Sequence, residues 1–171
     1  MSKWKYVILA MLLAFPAGWA LRAQTAKPAT LTAADYLELQ QLVARYAYAV
    51  DMHGGDGSAF AALFTPDGNI STPDRGALAR GTVELAKFAA ETNKDRSGPA
   101  FTRHFVTNVV IKPAPGGATG RSYLVTLDAA ENGKPTTMLS GGHYDDVYVK
   151  TAQGWRIKSR DYVRSEIGPV Q

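Results

Sequence analysis

The feature that most constrains this chain is a change of hydrophobic period near residue 100. Before it, apolar residues recur at helical spacing; from about Phe101 onward they alternate as they do in strands. A chain that is helical first and extended second must cover one face of its sheet with its own helices. This predicts an α+β domain whose mostly antiparallel sheet is buried on one side.

The helical part opens with Thr32, which has Asp35 three residues on, a spacing that predicts a capping pair. Leu39, Leu42, Val43, Tyr46, Ala47 and Val50 then form one apolar stripe, which Gly54 and Gly55 end. A short second helix is expected over "SAFAALF", capped by Asp56 or Ser58. The stretch "TPDGNISTPDRGALARG" is dense in turn residues and reads as a loop or small hairpin. In "TVELAKFAAETN", Leu85, Phe88 and Ala89 mark the buried side of a further helix. Beyond it, "FTRHFVTNVVIKP" and "TGRSYLVTLDAA" flank the turn "APGG", and "PTTMLSGGHYDDVYVK" and "GWRIKSRDYVR" flank "TAQG". These predict four long strands joined as hairpins.

Residues 1–23 are expected to be a secretory signal. Lys3 and Lys5 precede an apolar run from Tyr6 to about Ala14, and small residues around Ala23 offer a cleavage site; an uncleaved anchor over Trp4 to Leu21 is the alternative. Residues 24–30 read as a linker and 31–167 as the domain, which is expected to be exported and periplasmic. Of the 19 lysines and arginines, three (Lys3, Lys5 and Arg22) lie in the leader, which leaves 16 against 15 acids. So balanced a domain gives no support for nucleic acid, or for a membrane after processing, as its partner. With no cysteine, thiolate metal sites and cysteine nucleophiles are excluded.

The sequence contains no phosphate-cradling loop, dinucleotide fingerprint, nucleophile elbow or HExxH motif. Its three histidines, His53, His104 and His143, are too far apart in sequence to form an adjacent ligand pair, so neither a metal nor a cofactor is expected. What remains is proton transfer by His, Asp, Tyr and Arg. Asp51 follows Val43 and Ala47 at four-residue steps, which puts a carboxylate on the buried half of the first helix, at the negative end of its dipole. Such a group needs a partner, unless the helix frays there and leaves it in water. His104 is predicted to share a strand face with Thr102, Val106, Asn108 and Val110, a mixture suited to a pocket wall. A histidine beside Asp51 could exchange protons near neutral pH, whereas on its own it could equally be structural. Tyr46 lies about 140° around the helix from Asp51, close enough to border the same cavity without touching it. Arg164 and Tyr162 come late on the last strand; an arginine facing inward there would need an anion. Tyr144, Asp146 and Tyr148 alternate along one strand and point to a cavity lining or an oligomer contact.

The order of elements, with "YAYAVD", "FTPDG", "TRHFVTN", "TGRSYL", "GGHYDDVYV", "GWRI" and "DYVR", resembles the SnoaL-like branch of the nuclear-transport-factor-two-like superfamily over about Leu31 to Arg164. That resemblance implies a cone, or α+β barrel, of helices wrapped on a strongly curved mixed sheet around a deep apolar pocket. Among its enzymes, the bile-acid dehydratase and, more distantly, scytalone dehydratase match best. Their aspartate and histidine fall on Asp51 and His104; the bile-acid enzyme's tyrosine and arginine fall on Tyr46 and Arg164. Two further positions depart from those patterns: Thr72 stands where the bile-acid enzyme has a tyrosine, and Asp128 where scytalone dehydratase has a second histidine. The resemblance implies a cofactor-independent lyase of dehydratase type for a small hydrophobic cyclic or aromatic molecule, in a homodimer or homotrimer. An isomerase, a cyclase or a formaldehyde-releasing lyase using the same Asp–His pair, and a periplasmic binding module without chemistry, are the other members it admits.

Overall fold

The computed structural model describes residues 30–51, 55–94, 101–129 and 137–165. The leader 1–23, most of the linker, His53 and the side chain of Asp128 lie outside the described residues. Helix α1 spans Ala33–Asp51, α2 Ser58–Ala61 and α3 Gly81–Lys94; the strands are β1 Phe64–Thr72, β2 Gly76–Arg80, β3 Phe101–Ala114, β4 Gly117–Ala129, β5 Thr137–Thr151 and β6 Gly154–Arg164. The strands form one sheet in the order β2-β1-β6-β5-β4-β3. All neighbours are antiparallel except β1 and β6, which run parallel. The sheet is therefore mixed and open, with β2 and β3 as its edges.

The four long strands and three helices fall where the hydrophobic periods predict them. The turn-rich stretch forms the β1–β2 hairpin, and β1 extends the sheet by pairing with the last strand. Its many turn residues hide that role, since parallel pairing to a distant strand leaves no local mark in the sequence. The short helix begins after Gly57 (φ 74°) without a side-chain cap; Asp56 instead accepts a hydrogen bond from the Ser58 amide at 2.9 Å. Glycine is required at 57 by space as well as by φ, because a Cβ there would lie 2.0 Å from the Ala86 carbonyl oxygen of α3.

Helices α1 and α3 cover one sheet face, α1 against β3 and β6 and α3 against β1 and β2. The core lies between them: Leu39, Leu42, Val43, Tyr46 and Val50 from α1 and Leu85 and Ala89 from α3 meet Phe64, Ile70, Leu124, Tyr144, Tyr148, Trp155 and Ile157 of the sheet. The capping pair forms as predicted, with the Thr32 amide and hydroxyl donating to Asp35 Oδ2 at 2.9 and 2.7 Å and the Asp35 amide donating to Thr32 Oγ1 at 3.2 Å. The other oxygen, Oδ1, accepts from Lys150 Nζ at 2.6 Å and Trp155 Nε1 at 2.9 Å. One carboxylate thus caps α1 and also fastens its start to the β5–β6 turn. These donors, Lys150 foremost, hold the Asp35 carboxyl well below the usual carboxylate range.

Because that pKa is depressed by folding, the stabilisation is complete above the ordinary value of 3.8 and fades as pH falls through the folded-state value. Asp35→Asn should therefore lower Tm near neutral pH. The difference from wild type should shrink on acidification, as followed by circular-dichroism melts across the acid range.

Candidate active site

The site begins with an unpaired backbone group. β3 is an edge strand, so amides on its free side have no ladder partner and need another acceptor. At His104 that acceptor is Asp51, the last residue of α1. Asp51 Oδ2 accepts from the His104 amide at 2.9 Å, and Oδ1 lies 2.6 Å from His104 Nδ1. The two side chains are only 11% and 13% exposed. A carboxylate at a helix C-terminus is repelled by the last carbonyls, and here two N–H donors offset that repulsion. A neutral imidazole that donates its Nδ1 proton to Asp51 would carry its lone pair on Nε2, which has no protein partner among the described residues. The resulting unit is an oriented, half-sheltered imidazole.

A second polar group lies deeper on the same face. Arg160 is fully buried, its Nε and Nη2 donating to both oxygens of Asp146 at 2.7 Å each. The Tyr148 hydroxyl donates to Asp146 Oδ2 at 2.5 Å. The Tyr148 ring occupies the space left by Gly120, where a Cβ would come within 2.7 Å of it. The guanidinium lies between two tyrosines, 3.9 Å from the Tyr46 ring centre and 4.2 Å from that of Tyr144. Burial would lower the Arg160 pKa, but Asp146 more than offsets it and holds the pKa well above the usual arginine value. Burial raises Tyr46, Tyr144 and Tyr148, so all three stay neutral phenols.

The sheet register shows how these groups relate. His104 pairs with Thr126, which pairs with Ser140; on the next rung of the same face stand Val106, Leu124, Gly142 and Arg164. Ser122, Tyr144 and Tyr162 follow, and then Gly120, Asp146 and Arg160. His104 and Arg164 thus lie near one end of this face but on strands separated by β4 and β5. Tyr46 packs against Tyr144 (ring centres 5.5 Å apart), Phe60 and Phe64.

Of the four residues singled out from sequence, Asp51 and His104 meet directly. Tyr46 and Arg164 do not join them in hydrogen bonds: Tyr46 is 2% exposed in the core, and Arg164 is exposed at the end of β6. Tyr144, Asp146 and Tyr148 do point inward, but Asp146 and Tyr148 are engaged with Arg160 and leave no open wall.

Three positions lie away from the His104 face. Asn108 and Val110 leave the His104 face because a bulge between Thr107 and Val110, with Asn108 at φ 54°, reverses the alternation and turns Val109 and Ile111 inward. Asn108 therefore lines a groove of about 670 Å³ on the opposite face of the sheet. Thr72 lines a second outer groove of about 560 Å³, beside the β1–β2 hairpin. Arg160 was not singled out at all. Its signal was available, since 160, 162 and 164 share a strand face and Asp146 stands opposite, but a mid-strand arginine ordinarily marks solvent.

The buried phenols carry a measurable consequence. In an ultraviolet pH titration of the 8 tyrosines, Tyr46, Tyr144 and Tyr148 should fail to ionise near the ordinary value of 10.0 and should titrate only as the protein unfolds.

Solved structures share this architecture. A protein of unknown function from Mycobacterium tuberculosis, solved as an aspartate-to-asparagine variant, is 28% identical with a TM-score of 0.66 over 78% of this chain and 73% of its own. A Catenulispora acidiphila protein in complex with S-DNPA is 29% identical with a TM-score of 0.64 over 78% of this chain and 95% of its own. An NTF2-like protein with a cystatin-like fold from Novosphingobium aromaticivorans is 21% identical with a TM-score of 0.66, covering 80% and 85% of the two chains, a likeness of fold. No curated protein sequence matches. The signature of the SnoaL-like domain, however, matches residues 31–161, nearly all of the folded part, and the chain belongs to that family.

Proposed function

We propose that this protein is a cofactor-independent lyase that removes water from a small hydrophobic cyclic or aromatic molecule. The observation that carries this reading is the two-point grip of Asp51 on His104, which fixes the ring and its tautomer and leaves Nε2 as a base. The apolar residues on the same face, Val106, Val109, Ile111 and Leu124, favour an apolar substrate. The Catenulispora relative, crystallised with a small molecule, fits a small-molecule ligand.

In this reading His104 Nε2 takes a proton from the carbon next to a substrate carbonyl, and Asp51 stabilises the imidazolium that forms. Arg164, at the same end of the face, balances the negative charge that develops on the carbonyl oxygen. The carbon–oxygen bond then breaks, Tyr46 protonates the departing hydroxyl, and water forms. The imidazolium proton returns to the Tyr46 oxygen by way of the water just formed, before that water departs, which restores both groups. An elimination activated by a neighbouring carbonyl is within the reach of such acid–base catalysis, about 10²–10⁴-fold per group.

The first substrate to test is a hydroxyindanone with its hydroxyl β to the ketone, with products followed by mass spectrometry. Loss of water is expected. Asp51→Asn and His104→Ala should each lower kcat about 10²-fold or more while leaving the fold intact by circular dichroism. Turnover near wild type in both variants would remove the mechanism. An unchanged mass would indicate an isomerase or cyclase, and release of formaldehyde a carbon–carbon lyase.

The expected export and self-association belong to the same proposal. Phe105, Val110, Tyr123 and Val147 are 41–58% exposed on the uncovered sheet face, which supports a homodimer or homotrimer formed there. Light scattering on the purified domain should give twice or three times the chain mass, and Tyr123→Glu with Val147→Lys should reduce it to that of one chain.

A further inference from the structure

We propose that Arg160 is a positioning residue for the proton donor: Asp146 fixes the plane of its guanidinium, and the guanidinium holds the Tyr46 phenol in working orientation against Tyr144. The inference rests on the reading above, in which Tyr46 protonates the departing oxygen.

Three observations carry it. First, the guanidinium cannot rotate, because two of its nitrogens are held by one carboxylate whose second oxygen is held in turn by Tyr148. Second, the planar cation lies within 3.9 Å of the Tyr46 ring centre and 4.2 Å of the Tyr144 ring centre, so its orientation constrains both rings. Third, Nη1 is buried and has no hydrogen-bond partner among the described residues, which is costly in an arginine serving stability alone. Apolar residues of equal volume would fill this space with no such cost. The electrostatics point the same way. Burial raises the Tyr46 phenol, while the Arg160 charge and the interaction with the Tyr144 hydroxyl draw it down; the same interaction raises Tyr144 further. On balance both phenols lie above their ordinary value, Tyr144 the further of the two, so Tyr46 is a neutral phenol whose proton is held beside the Arg160 charge.

The arrangement also explains how one helix residue acts in concert with a distant strand. Asp51 ends α1 and grips β3, whereas Tyr46, on the same helix, is stacked on a cation from β6. The two ends of the proposed proton path are therefore set by different strands of one sheet.

The test uses the full chain and its Arg160→Lys variant, which keeps the charge but loses the fork and the flat face. Proton NMR would follow two slowly exchanging signals: the Tyr46 hydroxyl, identified by its loss in Tyr46→Phe, and the His104 Nδ1 proton, identified by its loss in His104→Ala. The lysine variant should shift the hydroxyl signal and leave the imidazole signal in place. With the hydroxyindanone, kcat should fall about 10-fold or more and KM change little, and Arg160→Lys should add almost nothing in a Tyr46→Phe background. If Arg160→Lys does not fold, the double variant Arg160→Met with Asp146→Leu removes the whole pair and should show the same loss of kcat. An unmoved hydroxyl signal, movement of both signals together, or a full further loss in the Tyr46→Phe background would overturn the proposal. Asp51→Asn and His104→Ala report separately on the base, so failure of the dehydratase reading is distinguishable from failure of this one.

Discussion

The helix-covered face of this sheet is organised around one buried ion pair. Arg160 and Asp146 stand on neighbouring strands, both sealed from water, and removing either alone would strand a charge at a cost of about 3–5 kcal/mol. The pair is tolerated because every Asp146 oxygen is used and because two aromatic rings cover the faces of the guanidinium. One of those rings belongs to α1, so the pair also helps to seat the helix on the sheet. The position of Tyr46, and through it the direction in which α1 runs, follows from this contact as much as from the apolar stripe.

The far end of the same helix depends on a different constraint. An edge strand leaves amides unpaired, and a helix C-terminus leaves a carboxylate without friendly neighbours. Bringing Asp51 to His104 resolves both deficits with one side chain. That the partner is a histidine supports the proposed chemistry, because the grip which satisfies the backbone also orients an imidazole ring. A glutamine or serine at 104 would have met the backbone need equally well and provided no base. The choice of residue is what makes a functional reading preferable to a structural one.

Much of this was legible in the residues. The change of period gave the α+β class and the four long strands; the Thr32–Asp35 spacing gave the start of α1; and the place of Asp51 on the buried side of its helix showed that it needed a partner. The fate of Asn108 was not legible, since an inserted residue in a strand reverses every later side chain and "FTRHFVTNVV" gives little sign of where that happens. The parallel β1–β6 pairing was equally hidden. Arg164 stands where the family resemblance places an arginine, yet Arg160, four residues earlier on the same face, is the one the interior holds.

By itself, then, the sequence determined the class of fold, the order of its elements and which side chains had to avoid water, because hydrophobic period and capping chemistry are local properties. The tertiary structure alone decided which polar groups meet. A buried charge or an edge amide is satisfied by whatever lies opposite in space, and the partners of Asp51, Arg160 and Asp35 lie 53, 14 and 115 residues away. No local pattern encodes those distances; they are set when the curvature of the sheet and the packing of α1 bring the groups together.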